Sequence, residues 1–385
     1  MPYLSTDGDF ERIFMTSTEF VDQFVGSSVQ SWGSATYGQL GDGTTTSRSS
    51  PGIVAGGGTN WKQISSGDQS AAGIKTDGTL WTWGRDSYGV LGSGTTAANR
   101  SSPVTIGGGG TTWLSVSMGL NCAAIKTDGT LWTWGYNGFG GLGDGITTTD
   151  KSSPGTVAGG GTNWKQVSAG TYAHMAAIKT DGTLWTWGIN SNGQLGDNTI
   201  TSRLSPGTTI GGGTNWKQVA LGHDDTAAIK TDGTLWTWGS NTSGQLGDAT
   251  TTSRRSPGTV AGGSTNWKQV VGATQNYCAI KTDGTLWTWG NNSNGQLGDG
   301  TTTSRSSPGT VAGGGTNWKQ VSGGYKCVLA IKTDGTLWSW GYNNTGKLGN
   351  GTTTDQSSPI QPINNLSNWK QVSCGYNFTT AVAQN

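Results

Sequence analysis

The sequence predicts an all-β fold: a seven-bladed β-propeller of four-stranded antiparallel blades, its ring closed by a composite blade from both termini. Three observations lead there. Tryptophans recur on a period of 51 residues, stretched to 52 or 53 in places, which marks a tandem-repeat architecture. Each period reads as four short strands punctuated by turn residues. The two ends of the chain carry complementary parts of one further period.

The twenty tryptophans fall into three sets. Seven precede glycine: Trp32, Trp83, Trp134, Trp187, Trp238, Trp289 and Trp340. Six stand two residues earlier: Trp81, Trp132, Trp185, Trp236, Trp287 and Trp338. Seven open a second motif: Trp61, Trp113, Trp164, Trp216, Trp267, Trp318 and Trp369.

Residues 164–210 illustrate one period. Trp164-Lys-Gln-Val-Ser168 reads as a first strand and Ala176-Ala-Ile-Lys179 as a second, with a variable stretch between them. Thr180-Asp-Gly-Thr183 is a two-residue hairpin, because Asp-Gly tolerates the positive φ angles of a type I′ turn. Leu184-Trp-Thr-Trp-Gly188 is a third strand, followed by a long loop to Ser205. Pro206-Gly-Thr-Thr-Ile210 is a weak fourth strand, and its proline suits an edge. No 3.6-residue periodicity appears in the repeat, which excludes a helical solenoid.

The Lys-Thr-Asp-Gly-Thr hairpin occurs six times, whereas the Trp-Gly strand occurs seven times. The unmatched copy is Val29-Gln-Ser-Trp-Gly33, where Gln30 stands in the place of the first tryptophan. The missing strands are expected from Asn368-Trp-Lys-Gln-Val372 and Thr380-Ala-Val-Ala-Gln384, which would leave no open sheet edge between the first and last blades.

These repeats resemble the RCC1-type (regulator of chromosome condensation) family. The resemblance rests on Leu-Trp-x-Trp-Gly, on Gly-Gln-Leu-Gly at 38–41, 193–196, 244–247 and 295–298, on Pro-Gly-x-Val, and on Ala-Ile-Lys-Thr-Asp-Gly. It covers residues 28–385 and implies the same seven-bladed propeller. The founding member is a nucleotide exchange factor that binds chromatin, and others inhibit enzymes. The family's histidine, three residues before the Ala of Ala-Ile, is kept here only as His174. Ser70, Asn121, Asp225, Asn276, Cys327 and Phe378 hold the place in the other copies. That departure, with no wedge-like insertion and no basic tail, argues against exchange activity.

Composition narrows the function. Net charge is +1 and 12% of residues are charged, so no nucleic-acid partner is expected. No apolar run is long enough to span a membrane. The N-terminus lacks a basic region followed by an apolar one, so synthesis is expected in the cytoplasm without a signal peptide. Cys122, Cys278, Cys327 and Cys374 form no CxxC pair and read as free thiols. His174, His223, Asp224 and Asp225 lack the fixed spacing of a metal or acid–base site. We therefore expect no enzyme, no metal and no cofactor.

The copies differ from one another in two stretches, between the first and second strands and after Trp-Gly. Strand alternation puts both at one end of the propeller. The expected partner-binding residues lie there: Tyr37, Arg85, Tyr88, Tyr136, Phe139, Tyr172, His174, His223, Asp225, Asn276, Tyr277, Tyr325, Lys326, Tyr342, Tyr376 and Phe378. Tyrosine with Asn, Ser and Gly is the palette of adaptable binding surfaces. The expected partner is a protein or a glycan.

Residues 1–27 have no repeat character. They hold Phe10, Phe14, Phe20 and Phe24, and Thr16-x-x-Glu19 has the form of a helix capping box. They are expected to be an extension that anchors the propeller at residues 28–385 to a docking partner. The leading context is a structural or receptor-facing component of a particle such as a phage or virus virion. The alternative is an intracellular regulator, an exchange factor or enzyme inhibitor.

Overall fold

The computed structural model describes residues 26–384, apart from 57, 97, 147, 212, 364 and 365. Within them, seven four-stranded antiparallel sheets follow one another around a ring. Six blades are continuous in sequence and run from Trp61, Trp113, Trp164, Trp216, Trp267 and Trp318. The seventh is composite. Trp369–Cys374 is its inner strand and Phe378–Gln384 its second, while Ser27–Gly33 and Arg48–Ile53 complete it. Ser27 through Gly33 pair in unbroken antiparallel register with Gln384 back to Phe378. The complementary ends of the chain thus make one sheet, as expected from the hairpin count. The anchor residues Phe10, Phe14, Phe20 and Phe24 lie outside the described residues.

The blades are held by seams rather than by a single central core. Seven apolar clusters each join one face of a blade to the opposing face of the next. Each Trp-Gly indole is fully buried. Its N–H donates to the carbonyl that precedes the leucine of Gly-Gln-Leu-Gly in the preceding blade, for example Trp238 to Gln194 at 2.9 Å. The same bond recurs at Trp83, Trp134, Trp187, Trp289 and Trp340. At the ring closure Trp32 donates to Lys347 at 2.8 Å. The last glycine of the loop motif is needed for this fit: Gly196 has φ +69°, and a Cβ there would stand 2.7 Å from Trp238 Nε1.

A second set of bonds links the inner strands. Gln63 exchanges two hydrogen bonds of 3.1 Å with the backbone of Val116 in the next blade. Gln371 does the same with Ile64 across the closure, at 3.0 and 3.2 Å. Each lysine of Ala-Ile-Lys lies between two indoles, as where Lys179 Nζ is 4.8 Å from Trp164 and 4.3 Å from Trp185. This cation–π sandwich explains why a lysine, rather than any polar residue, ends the second strand.

Two expectations are corrected. The second strands begin earlier than 176: in the third blade the strand is His174–Lys179. His174 pairs with Gly188, whose φ is +95° and where a Cβ would stand 2.2 Å from the Ala173 carbonyl. Trp-Gly therefore ends in glycine so that the start of the second strand can fold in tightly. The cysteine reading is corrected as well. Cys327 and Cys374 form a disulfide between the sixth and closing blades, while Cys122 and Cys278 are free and buried. The pairing was hidden because the two residues occupy different strands, which become neighbours only across a seam.

Candidate interaction face

The two variable stretches do emerge together. Backbone bonds pin the loop after the third strand to the loop after the first, as in Arg85 N–H to Gln69 O (2.9 Å) and Tyr342 N–H to Lys326 O (2.8 Å). Part of the second stretch is structural. Asn190 is buried; its amide donates to Asp197 and to the Thr199 and Thr201 carbonyls, and its oxygen accepts from Leu195 N–H. Asn241, Asn292 and Asn343 repeat this arrangement. Asp197 and its equivalents then pair with the first residue of the outer strand, as in Arg203 to Asp197 at 2.9 Å. Repetition of Asn at this position was the signal that the residue belongs to the loop's framework.

Five of the expected binding residues are not on the surface. His174, Asp225, Asn276, Tyr277 and Phe378 are buried. The first three and Phe378 open second strands, and Tyr277 follows Asn276 to stack 5.9 Å from Trp289. They support the face from below and do not present side chains to a partner. Burial lowers the pKa of His174 to about 4. Its Nδ1 is 3.4 Å from the Tyr172 carbonyl. Burial raises Asp225 to about 7, partly offset by hydrogen bonding that includes the Gln245 amide.

The remaining residues reach solvent and form two aromatic groups. Tyr88 and Tyr136 meet edge to face at 4.9 Å, and Tyr172 stacks on His223 at 4.6 Å. His223 Nδ1 is 2.8 Å from Asp224, which raises the imidazole pKa. Across the ring, Tyr325 stacks on Tyr376 at 3.9 Å and meets Tyr342 at 6.1 Å. Lys326 lies 5.7 Å from the Tyr325 ring, and the Arg85 guanidinium covers Tyr37 at 4.7 Å.

Phe139 and Tyr88 are displayed by strained backbone. Each has a positive φ, 61° and 63°, and each residue is 46% exposed. Both stand two residues before a departure from the neighbouring motif. In Gly-Gln-Leu-Gly the glutamine Oε1 accepts the N–H of the residue two before it, as Gln194 does from Asn192 at 2.9 Å. Val90 and Gly141 stand in place of that glutamine. In both, the residue two before takes a positive φ and is exposed. Lys347, the third replacement, instead fills the space: its buried Nζ donates to the Tyr325 and Tyr376 carbonyls at 2.6 and 2.8 Å. These three substitutions were legible in the sequence, but their effect on the neighbouring aromatic residues was not.

The match to known proteins agrees with this architecture. The RCC1-like domain model matches residues 109–385, and the regulator of chromosome condensation (RCC1) repeat model matches 28–74 and 77–125. The chain belongs to the RCC1-like family. Among relatives of this family, it is 32% identical over 330 residues to the ultraviolet-B receptor UVR8 of Arabidopsis thaliana, covering 83% of this chain and 74% of the receptor. It is 28% identical over 338 residues to the human E3 ubiquitin-protein ligase HERC2, of which it spans 7%. RCC1-like folds among solved structures include human WBSCR16, at TM-score 0.82, 19% identity and coverage of 93% of this chain and 99% of that one. They also include Prp20p of Saccharomyces cerevisiae, at TM-score 0.83, 18% identity and coverage of 97% and 96%. Among the described residues, no helix is long and apolar enough to cross a membrane.

Proposed function

We propose that this propeller acts by binding a protein partner through its variable face, and that it is not an enzyme. The observation that carries this reading is the strained display of Tyr88 and Phe139 beside stacked tyrosines on one face only. Backbone strain of this kind costs on the order of 1–3 kcal/mol per residue and persists where something else is gained. Exposed, rigid aromatic rings supply contact area at small entropy cost. Prp20p binds Gsp1p and histones, which supports a protein rather than a glycan as the partner class.

The test is affinity capture with the full chain and with a variant carrying Tyr136→Ala, Tyr172→Ala and Tyr325→Ala. A partner retained by the wild type should lose at least about tenfold in affinity, roughly 1.4 kcal/mol. Substituting Asp181, Asp232 and Asp283 by Asn, in hairpins at the opposite end, should leave binding unchanged. Equal capture by the tyrosine variant would overturn the reading.

A finer reading is a structural or receptor-facing role in a particle such as a virion, with synthesis in the cytoplasm and docking through residues 1–27. It is motivated by Phe10, Phe14, Phe20 and Phe24. Incorporation of residues 28–385 alone into such a particle would refute the anchor. The alternative, a regulator of a small GTPase, predicts accelerated nucleotide exchange by the purified chain.

A further inference from the structure

In most blades two buried side chains lie beneath the variable face. One comes from the first residue of the second strand, the other from the Gly-Gln-Leu-Gly glutamine. The pairs are Phe378 with Gln39, His174 with Gln194, Asp225 with Gln245, Asn276 with Gln296, and Cys327 with Lys347. In the second blade Asn121 reaches the backbone of Gly141 at 3.3 Å. The first blade has Ser70 and Val90 at these positions, and no hydrogen bond links the two. There the structure has a cavity of about 130 Å³. Its lining includes Asp68, Arg85, Tyr88, Val90 and Leu120.

The chemistry of this cavity is specific. Asp68 accepts no hydrogen bond from the described residues. Its pKa is raised by burial, with Arg85 opposing the shift only through space. Arg85 is engaged elsewhere: it donates to Gln69 Oε1 at 2.7 Å and lies over the Tyr37 ring. Asp68 is only partly exposed, and a carboxylate in that position without a protein donor gains by pairing with a cation. Leu120, Val90 and the Tyr88 ring supply an apolar wall suited to a methylene stem. Tyr88, with its positive φ, also lines the cavity.

We propose that this cavity is a socket for a lysine side chain of the protein partner, with Asp68 as its counter-ion. The inference rests on the variable face being the binding face, and it names the anchor that face receives. Ser70 and Val90 line the socket, and five other blades carry a buried Gln or Lys in place of Val90.

The experiment uses the isotopically labelled full chain and N-acetyl-lysine methylamide, followed by amide chemical shifts. Shifts confined to residues 68–70, 85–90 and 119–120 are expected. They should require at least about tenfold more ligand in Asp68→Asn. Val90→Gln, which restores the glutamine found in other blades, should also abolish them while the remaining spectrum shows the chain folded. No shifts at these residues, or shifts undiminished in Asp68→Asn, would overturn the proposal. So would preferential binding of N-acetyl-glutamate methylamide that is lost in Arg85→Gln, which would make Arg85 the anchor for an anion. The probe reports on the socket without a partner. Its failure therefore leaves the tyrosine test of the face standing, and the tyrosine test can fail without it.

Discussion

Asp225 and His174 occupy equivalent positions in adjacent blades and pull the pH dependence of stability in opposite directions. Asp225 titrates at about 7 in the folded chain against 3.8 for the free group, because burial disfavours the charge. Its contribution is present at low pH and is lost as pH rises toward 7. His174 titrates at about 4 against 6.5, again through burial. Its contribution is present above 6.5 and is lost as pH falls toward 4. In the Asp225→Asn variant the loss caused by Asp225 should disappear and the histidine trend remain. Thermal melts of that variant should rise from pH 4 to 6.5 as His174 loses its proton. At pH 8 it should exceed the wild type by on the order of 2–4 kcal/mol. A variant whose stability falls between pH 5 and 7 as steeply as the wild type's would show that Asp225 is not the group responsible.

At the scale of elements, the seam between blades depends on a strand-to-loop bond as well as on apolar contact. Trp238 and Trp236 belong to one strand, yet their roles differ. The buried Trp238 donates across the seam to Gln194, whereas the half-buried Trp236 donates to Thr234 in its own blade. Trp238→Phe leaves a buried carbonyl unpaired and a small void, for a loss of roughly 2–4 kcal/mol. Trp236→Phe should lose less than about 1 kcal/mol. Urea unfolding of both variants checks the difference, and equal midpoints would show that the seam bond adds nothing. The same geometry explains the glycines of both motifs, which admit a neighbouring backbone or indole where a Cβ would collide.

At the scale of the molecule, closure is the decisive event. The composite blade joins strands more than three hundred residues apart in sequence, through the Ser27–Gly33 and Phe378–Gln384 pairing and the Gln371 bonds to Ile64. Removing residues 366–385 deletes two strands of that blade and exposes a sheet edge in its first half. We expect the melting temperature to fall by at least about 10 °C, or the cooperative transition to broaden, because several interstrand and seam contacts are lost together. An unchanged melting curve would mean that the ring does not depend on the composite blade.

The sequence by itself determined the blade count, the order of strands and the composite closure. Those follow from a local pattern repeated with little change, and periodic burial of tryptophan translates directly into blades. It also located the variable face, because strand alternation decides which loops share an end. Tertiary structure alone decided which of the variable residues meet solvent. His174, Asp225, Asn276, Tyr277 and Phe378 vary as surface residues do, yet strand pairing opposite the Trp-Gly glycine folds them under the loops. It also decided the Cys327–Cys374 pairing and the cavity beside Asp68. Both depend on what a neighbouring strand or loop places across a gap, and no spacing within one repeat encodes that.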